Sequence, residues 1–163
     1  MFALTLTGCG YKTAGKATRL PQDLHTIAVP GFANQTQTYR IEQVLTGAVV
    51  REFAARTNYR VLNREGGDAD AVLHGTVVGA ELAPLTYDSR TGRASSGLVT
   101  VTMRVSLVDR QGKVLFENQN YQFREQYQIS REITSFFEED SPAVDRMSRD
   151  FARTLVSNIV EAY

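Results

Sequence analysis

From Val99 to Leu107 the chain alternates without a break. Val99, Val101, Met103, Val105 and Leu107 fall on one side, and Thr100, Thr102, Arg104 and Ser106 on the other. A period of two is the signature of a strand with one buried and one wetted face. Asp109-Arg110-Gln111-Gly112-Lys113 reads as a hairpin turn. Val114 to about Tyr127 then returns as the partner strand, with Tyr121, Phe123 and Tyr127 on one face. Such a hairpin commits the chain to an antiparallel sheet that needs an apolar cover on one side.

Two helical stripes can supply that cover. Ile41, Val44, Leu45, Ala48, Val49 and Phe53 recur at the helical period, which predicts a helix from about Tyr39 to Arg56. Arg51 and Arg56 near its end suit the helix dipole, and Asn58 suits a stop. Ser141-Pro142 reads as an N-cap with proline at the first helical position, followed by the stripe Val144, Met147, Phe151, Leu155 and Ile159. This stripe reads as core packing, not as a cofactor contact. Further strands are expected at Thr26–Pro30, Tyr59–Asn63 and Ala71–Leu85. Gly75 and Gly79 inside the last suggest a bulge or close packing. Gly31–Tyr39 and Tyr87–Gly97 read as loops, and residues 64–68 as a turn. The sum is an α+β two-layer sandwich, helices on one sheet face, the other left to water or a partner.

Composition narrows the function classes. A chain of 163 residues suits one domain. Lys+Arg and Asp+Glu are both 18, so the formal net charge is zero. That disfavours a nucleic-acid partner and a polybasic membrane-surface binder. Two histidines, His25 and His74, leave little material for acid–base or metal chemistry. Neither shows the spacing of a catalytic triad, and no glycine-rich phosphate loop sits between a strand and a helix. Glu138-Glu139-Asp140 reads as a solvated turn. No enzyme activity, cofactor or metal is expected.

The lone cysteine, Cys9, follows Leu6-Thr7-Gly8 and the apolar Met1-Phe2-Ala3-Leu4. No segment reaches the roughly 18 apolar residues of a membrane span. A small residue before the cysteine and an apolar one three positions back look like a bacterial lipobox, whose cysteine is acylated after cleavage. The charged start of a full signal peptide is missing, and the competing reading is a buried structural cysteine. Residues 1–8 are expected as a signal-peptide remnant, 9–22 as a lipidated N-terminus and tether, and 23–163 as a single domain. Each buried CH₂ of an acyl chain adds about 0.8 kcal/mol of membrane affinity.

The order of these elements resembles the lipopolysaccharide-assembly lipoprotein family LptE. The resemblance is carried by Cys9-Gly10-Tyr11, by residues 26–36 (Thr-Ile-Ala-Val-Pro-Gly-Phe-Ala-Asn-Gln-Thr), by Val50-Arg51-Glu52-Phe53, by Tyr59-Arg60-Val61 and by residues 69–75 (Ala-Asp-Ala-Val-Leu-His-Gly). It implies two helices packed on one face of a mixed four-stranded sheet. It also implies an outer-membrane, periplasm-facing lipoprotein anchored to the membrane by lipid. Such proteins help assemble and plug the lipopolysaccharide-inserting β-barrel, LptD, and bind lipopolysaccharide.

Barrel lumens are polar, and the polar run 118–128 together with the zero net charge suits such a plug, although a solvated edge strand explains the run equally well. In the loop Ser89-Arg90-Thr91-Gly92-Arg93 the resemblance assigns lipopolysaccharide contact to Arg90 first and Arg93 second. Guanidinium forks match phosphate geometry. A basic residue that the family can carry before the last helix has no counterpart in the acidic Phe136–Asp140, unless Arg131 substitutes. The alternative is another outer-membrane lipoprotein of similar fold that activates a periplasmic enzyme or joins a secretion assembly; a small-molecule enzyme is weaker.

Overall fold

The computed structural model describes residues 16–17, 20–129 and 142–161. In chain order the elements are β1 (Lys16–Ala17), β2 (Thr26–Ala28), β3 (Ala33–Asn34), α1 (Ile41–Arg56), β4 (Arg60–Leu62), β5 (Ala71–Tyr87), β6 (Ala94–Asp109), β7 (Val114–Gln128) and α2 (Pro142–Val160). Cys9, Arg131, the Phe136–Asp140 stretch and the Ser141 cap lie outside the described residues.

The α+β architecture and the mixed sheet agree with expectation, but the strand count does not. Seven strands join one sheet in the order β1-β7-β6-β5-β2-β4, with β3 also paired to β5. A four-stranded sheet is therefore too small. The strands not expected from the sequence are β1 and β3, of two residues each, too short to carry an alternation signal. Each is defined by pairing with another strand. β3 sits inside the segment read as a loop, and β1 inside the one read as a tether, where Lys16 and Ala17 pair with Glu117 and Phe116.

β2, α1 and β4 form a crossover unit in which β2 and β4 run parallel. β2 also pairs in parallel with β5 at Ala71 and Val72. From β5 onward the sheet is an antiparallel meander. The bulge expected in β5 lies between Val77 and Gly79. At Gly75 the lack of a side chain is required: a Cβ there would come within 2.7 Å of the Phe32 ring and 3.0 Å of the Met103 methyl.

The alternating set Val99 to Leu107 is fully buried, as its pattern predicts. α1 contributes Ile41, Leu45, Ala48, Val49 and Phe53 to the core. α2 contributes Val144, Met147, Phe151, Leu155, Val156 and Ile159. Phe151 meets Tyr121 and Phe123 edge-to-face, with centroids at 6.0 and 5.8 Å. Such pairs add about 0.5–1.5 kcal/mol each beyond area burial. α1 starts two residues later than its periodicity suggests, because Arg40 adopts a left-handed conformation (φ 52°) and ends the preceding loop.

Strand and helix lengths are unequal, and this positions the candidate site. β5 has 17 residues, roughly 56 Å at strand rise. The helices have 16 and 19 residues, about 24 and 28 Å. Burial along β5 fades accordingly, and from Ala83 to Tyr87 every residue is exposed. The β5–β6 hairpin is an arm that outreaches the helix layer.

Candidate functional site

The tip of the arm is the loop from Asp88 to Arg93. Asp88 organises it: Oδ1 accepts the backbone N–H of Arg90 at 3.0 Å, that of Thr91 at 2.7 Å and the Thr91 hydroxyl at 2.9 Å. The Gly92 N–H donates to the Asp88 carbonyl, and the Asp88 N–H to the Arg93 carbonyl, both at 2.8 Å. Gly92 closes the turn at φ 69°, which suits a residue without Cβ. These bonds, Thr91 foremost, hold the Asp88 carboxyl below its ordinary pKa. Arg90 and Arg93 are both exposed on this ordered loop.

Behind the tip, hydroxyls tie the arm together. Thr86 Oγ1 lies 2.9 Å from Ser95 Oγ and 2.6 Å from Ser96 Oγ. Gln126 Nε2 donates to Ser96 Oγ at 3.2 Å, drawing in β7. The loop expected over Tyr87–Gly97 is thus shorter, because β6 already begins at Ala94. Ser95, Ser96 and Gly97 are poor strand formers, yet Ser96 and Gly97 pair with Thr86 and Pro84 of β5, the register shifting on either side of Thr86.

The sheet face opposite the helices is polar across three strands. Thr76 of β5 stands beside Arg104 of β6. Glu81, Thr100 and Arg124 form one row across β5, β6 and β7, and Thr102 is paired with Gln122. Arg104 Nη2 donates to Gln35 Oε1 at 2.7 Å. This face offers hydrogen-bond donors and acceptors and little apolar surface.

At the other end of the sheet a polar cavity of about 340 Å³ is lined by residues that include Asp23, Asp70, Arg110 and Lys113. Its charges serve the fold. Asp70 Oδ2 accepts the backbone N–H groups of His25 and Thr26 at 2.9 and 2.8 Å, and Oδ1 pairs with the Arg110 guanidinium. Those backbone bonds, with Arg110 assisting, lower the Asp70 pKa. Among the described residues no group of three or more His, Cys, Asp or Glu is placed to hold a metal ion. No described helix is long and apolar enough to cross a membrane.

Of the residues singled out from sequence, Arg90 and Arg93 share the tip, while Cys9 lies outside the described residues. Asp88 was not singled out, although an Asp followed by Thr-Gly at a turn is an Asx-turn signal.

A family model described as lipopolysaccharide assembly, LptE, matches residues 24–159. No curated protein matches the chain significantly. Among solved structures, the chain is similar to the PelC dodecamer from Paraburkholderia phytofirmans, at TM-score 0.59 and 14% identity, covering 89% of this chain and 94% of that one. A protein from Xanthomonas campestris gives TM-score 0.57 at 14% identity, covering 90% and 92%. The uncharacterized lipoprotein B from Nitrosomonas europaea gives TM-score 0.52 at 16% identity, covering 94% of each chain. At these identities the likeness is one of fold. The family match runs from just before β2 to the last turn of α2, and the chain belongs to the lipopolysaccharide-assembly family LptE.

Proposed function

We propose that this protein is an outer-membrane lipoprotein, anchored through acylated Cys9 and facing the periplasm, that helps the LptD β-barrel assemble and sits in its lumen as a plug. It binds lipopolysaccharide through Arg90 and Arg93 and performs no catalysis. The observation that carries this reading is the arrangement of the arm: an ordered two-arginine loop at the end of a hairpin whose uncovered face is polar. A barrel lumen is polar and hydrogen-bonding. The row Glu81, Thr100 and Arg124 meets that requirement with charges of both signs. Exposed guanidinium groups suit the phosphates of lipopolysaccharide.

Mild detergent extraction followed by affinity capture tests the assembly. Recovery of the large barrel is expected; recovery of a cell-wall synthase without it defeats the reading. Arg90→Ala with Arg93→Ala should weaken lipopolysaccharide binding by the purified protein, and unchanged affinity removes that assignment. Mass spectrometry of membrane-extracted protein should find acylated Cys9 as the N-terminus.

One observation favours a second reading. The PelC structure to which the fold is similar is a dodecamer, which fits a homo-oligomeric lipoprotein in a different envelope assembly. Light scattering on the detergent-solubilised protein separates the two: the mass of a large homo-oligomer without a barrel supports the second.

A further inference from the structure

The cavity of about 340 Å³ beside the β6–β7 turn is lined by charges of both signs. Asp70 and Arg110 are the ones committed to each other and to backbone groups. Asp109 shapes the turn: its Oδ1 accepts the N–H groups of Gln111 and Lys113 at 2.9 and 2.8 Å. Beyond these, the lining holds the Asp23 carboxylate and the Lys113 ammonium. Among the described residues neither side chain has a hydrogen-bond or ion-pair partner, and the two do not pair with each other. Opposite charges that line one cavity without meeting are the complement of a small ligand that carries both signs itself. A lining this polar suits a headgroup and not an acyl chain.

The way the chain enters the domain says which zwitterion is at hand. β1 pairs with β7 at Phe116 and Glu117. Lys113 lies three residues before Phe116, roughly 10 Å at strand rise. Seven positions separate Lys16 from Cys9, a reach of at most about 25 Å. An anchored Cys9 therefore keeps the cavity end of the sheet close to the bilayer surface. The arginine loop lies at the other end of the 16-residue β6, roughly 53 Å away. Phosphoethanolamine is the bilayer headgroup that joins a phosphate to a primary ammonium. Its three N–H donors suit the Asp23 carboxylate, and its phosphate suits the Lys113 ammonium.

We infer that this cavity takes the phosphoethanolamine headgroup of a bilayer lipid, with Asp23 against the ammonium and Lys113 against the phosphate. Occupied in this way, the cavity end seats on the membrane and the arm points away from it. The inference rests on the lipid-anchor part of the reading above for the source of the headgroup. It is independent of the arginine loop in place and in ligand.

Two measurements test it. The first titrates the full chain with three soluble compounds: glycerophosphoethanolamine, glycerophosphocholine and glycerol phosphate. Glycerophosphoethanolamine should bind about fivefold or more tighter than either of the others, because methylation removes the hydrogens that donate to a carboxylate and glycerol phosphate has no cation. Asp23→Asn should lower its binding to the level of glycerol phosphate, and Lys113→Gln should weaken all three. Both variants should keep the parent's urea midpoint, since neither side chain is bonded within the described fold. Equal binding of the three compounds by the parent chain overturns the inference without any variant. So does tighter binding of glycerol phosphate, which assigns the cavity to a bare phosphate, or parental affinity in both variants. The second measurement floats the unacylated full chain with phosphatidylcholine vesicles that contain or lack phosphatidylethanolamine. Flotation should favour the vesicles that contain it; equal flotation overturns the bilayer source in favour of a free phosphoethanolamine compound. Neither measurement depends on an acylated Cys9, so failure of the anchor reading shows separately, in the mass spectrum.

Discussion

Thr26 and Asp70 are bonded reciprocally: the Thr26 N–H donates to Asp70 Oδ2 at 2.8 Å, and the Asp70 N–H donates to the Thr26 carbonyl at 2.9 Å. The same carboxylate holds the His25 N–H and the Arg110 guanidinium. One side chain at the start of β5 thereby fastens the start of β2 and the β6–β7 turn. This gives the Asp of the 69–75 motif a physical role.

Asp70→Ala should therefore destabilise the protein by about 1–3 kcal/mol, because backbone N–H groups lose their acceptor. Urea unfolding reads this. The folded-state pKa of Asp70 lies below its ordinary 3.8. Its contribution is full above that value and is lost as pH falls through the folded pKa. Asp70→Asn should flatten the stability curve in that acid window and leave its shape near neutrality unchanged.

Gly75→Ala should cost about 1–3 kcal/mol, since the new methyl meets the Phe32 ring and Met103 in a closed core. Gly79→Ala is the control: its nearest neighbour, Thr102 Cβ, would lie at 3.5 Å, an ordinary contact. Thermal melts of the two variants should differ clearly, with Gly79→Ala the closer to the parent.

Tyr127→Phe removes the hydroxyl that donates to Asp150 Oδ2 at 3.0 Å, joining β7 to α2. A loss of about 1 kcal/mol is expected. Burial pushes the Tyr121 phenol up to about 12, and Tyr127 is raised further by burial and by Asp150. Both phenols favour the fold fully below their ordinary pKa near 10, and that support falls as pH rises through the folded values. Ultraviolet titration should show these tyrosines ionising later than the exposed ones.

Asp88→Ala should leave global stability within about 0.5 kcal/mol, because the loop is exposed and outside the core. Lipopolysaccharide affinity should fall several-fold as the arginine loop loses its order. Amide exchange at Arg90 and Thr91, whose N–H groups Asp88 holds, should speed up in parallel.

The architecture was legible where residues repeat. Val99 to Leu107 announced a half-buried strand, and Phe151 with Leu155 and Ile159 a core-facing helix. The short strands were not legible. Lys16–Ala17 and Ala33–Asn34 are defined by the backbones they pair with, and two residues carry no period. The start of β6 was also missed, since serine and glycine there read as loop until the opposing β5 ladder is known. At the site, Arg90 and Arg93 stood out by charge and by resemblance. Asp88 was overlooked although its bonds are local to the turn, and the exposure of Leu85 and Tyr87 depends on how far the packed core extends along β5.

The overhang of β5 and β6 has an evolutionary corollary. A ribbon that runs past its helical backing can gain or lose length without disturbing the interior. Deleting two residues from each limb retracts the guanidinium-bearing end by about 7 Å while every remaining side chain keeps its facing; deleting one from each inverts them. Where the ladder is regular, span is thus adjustable only in even steps; a single-residue change has to be taken up by a bulge such as those flanking Thr86.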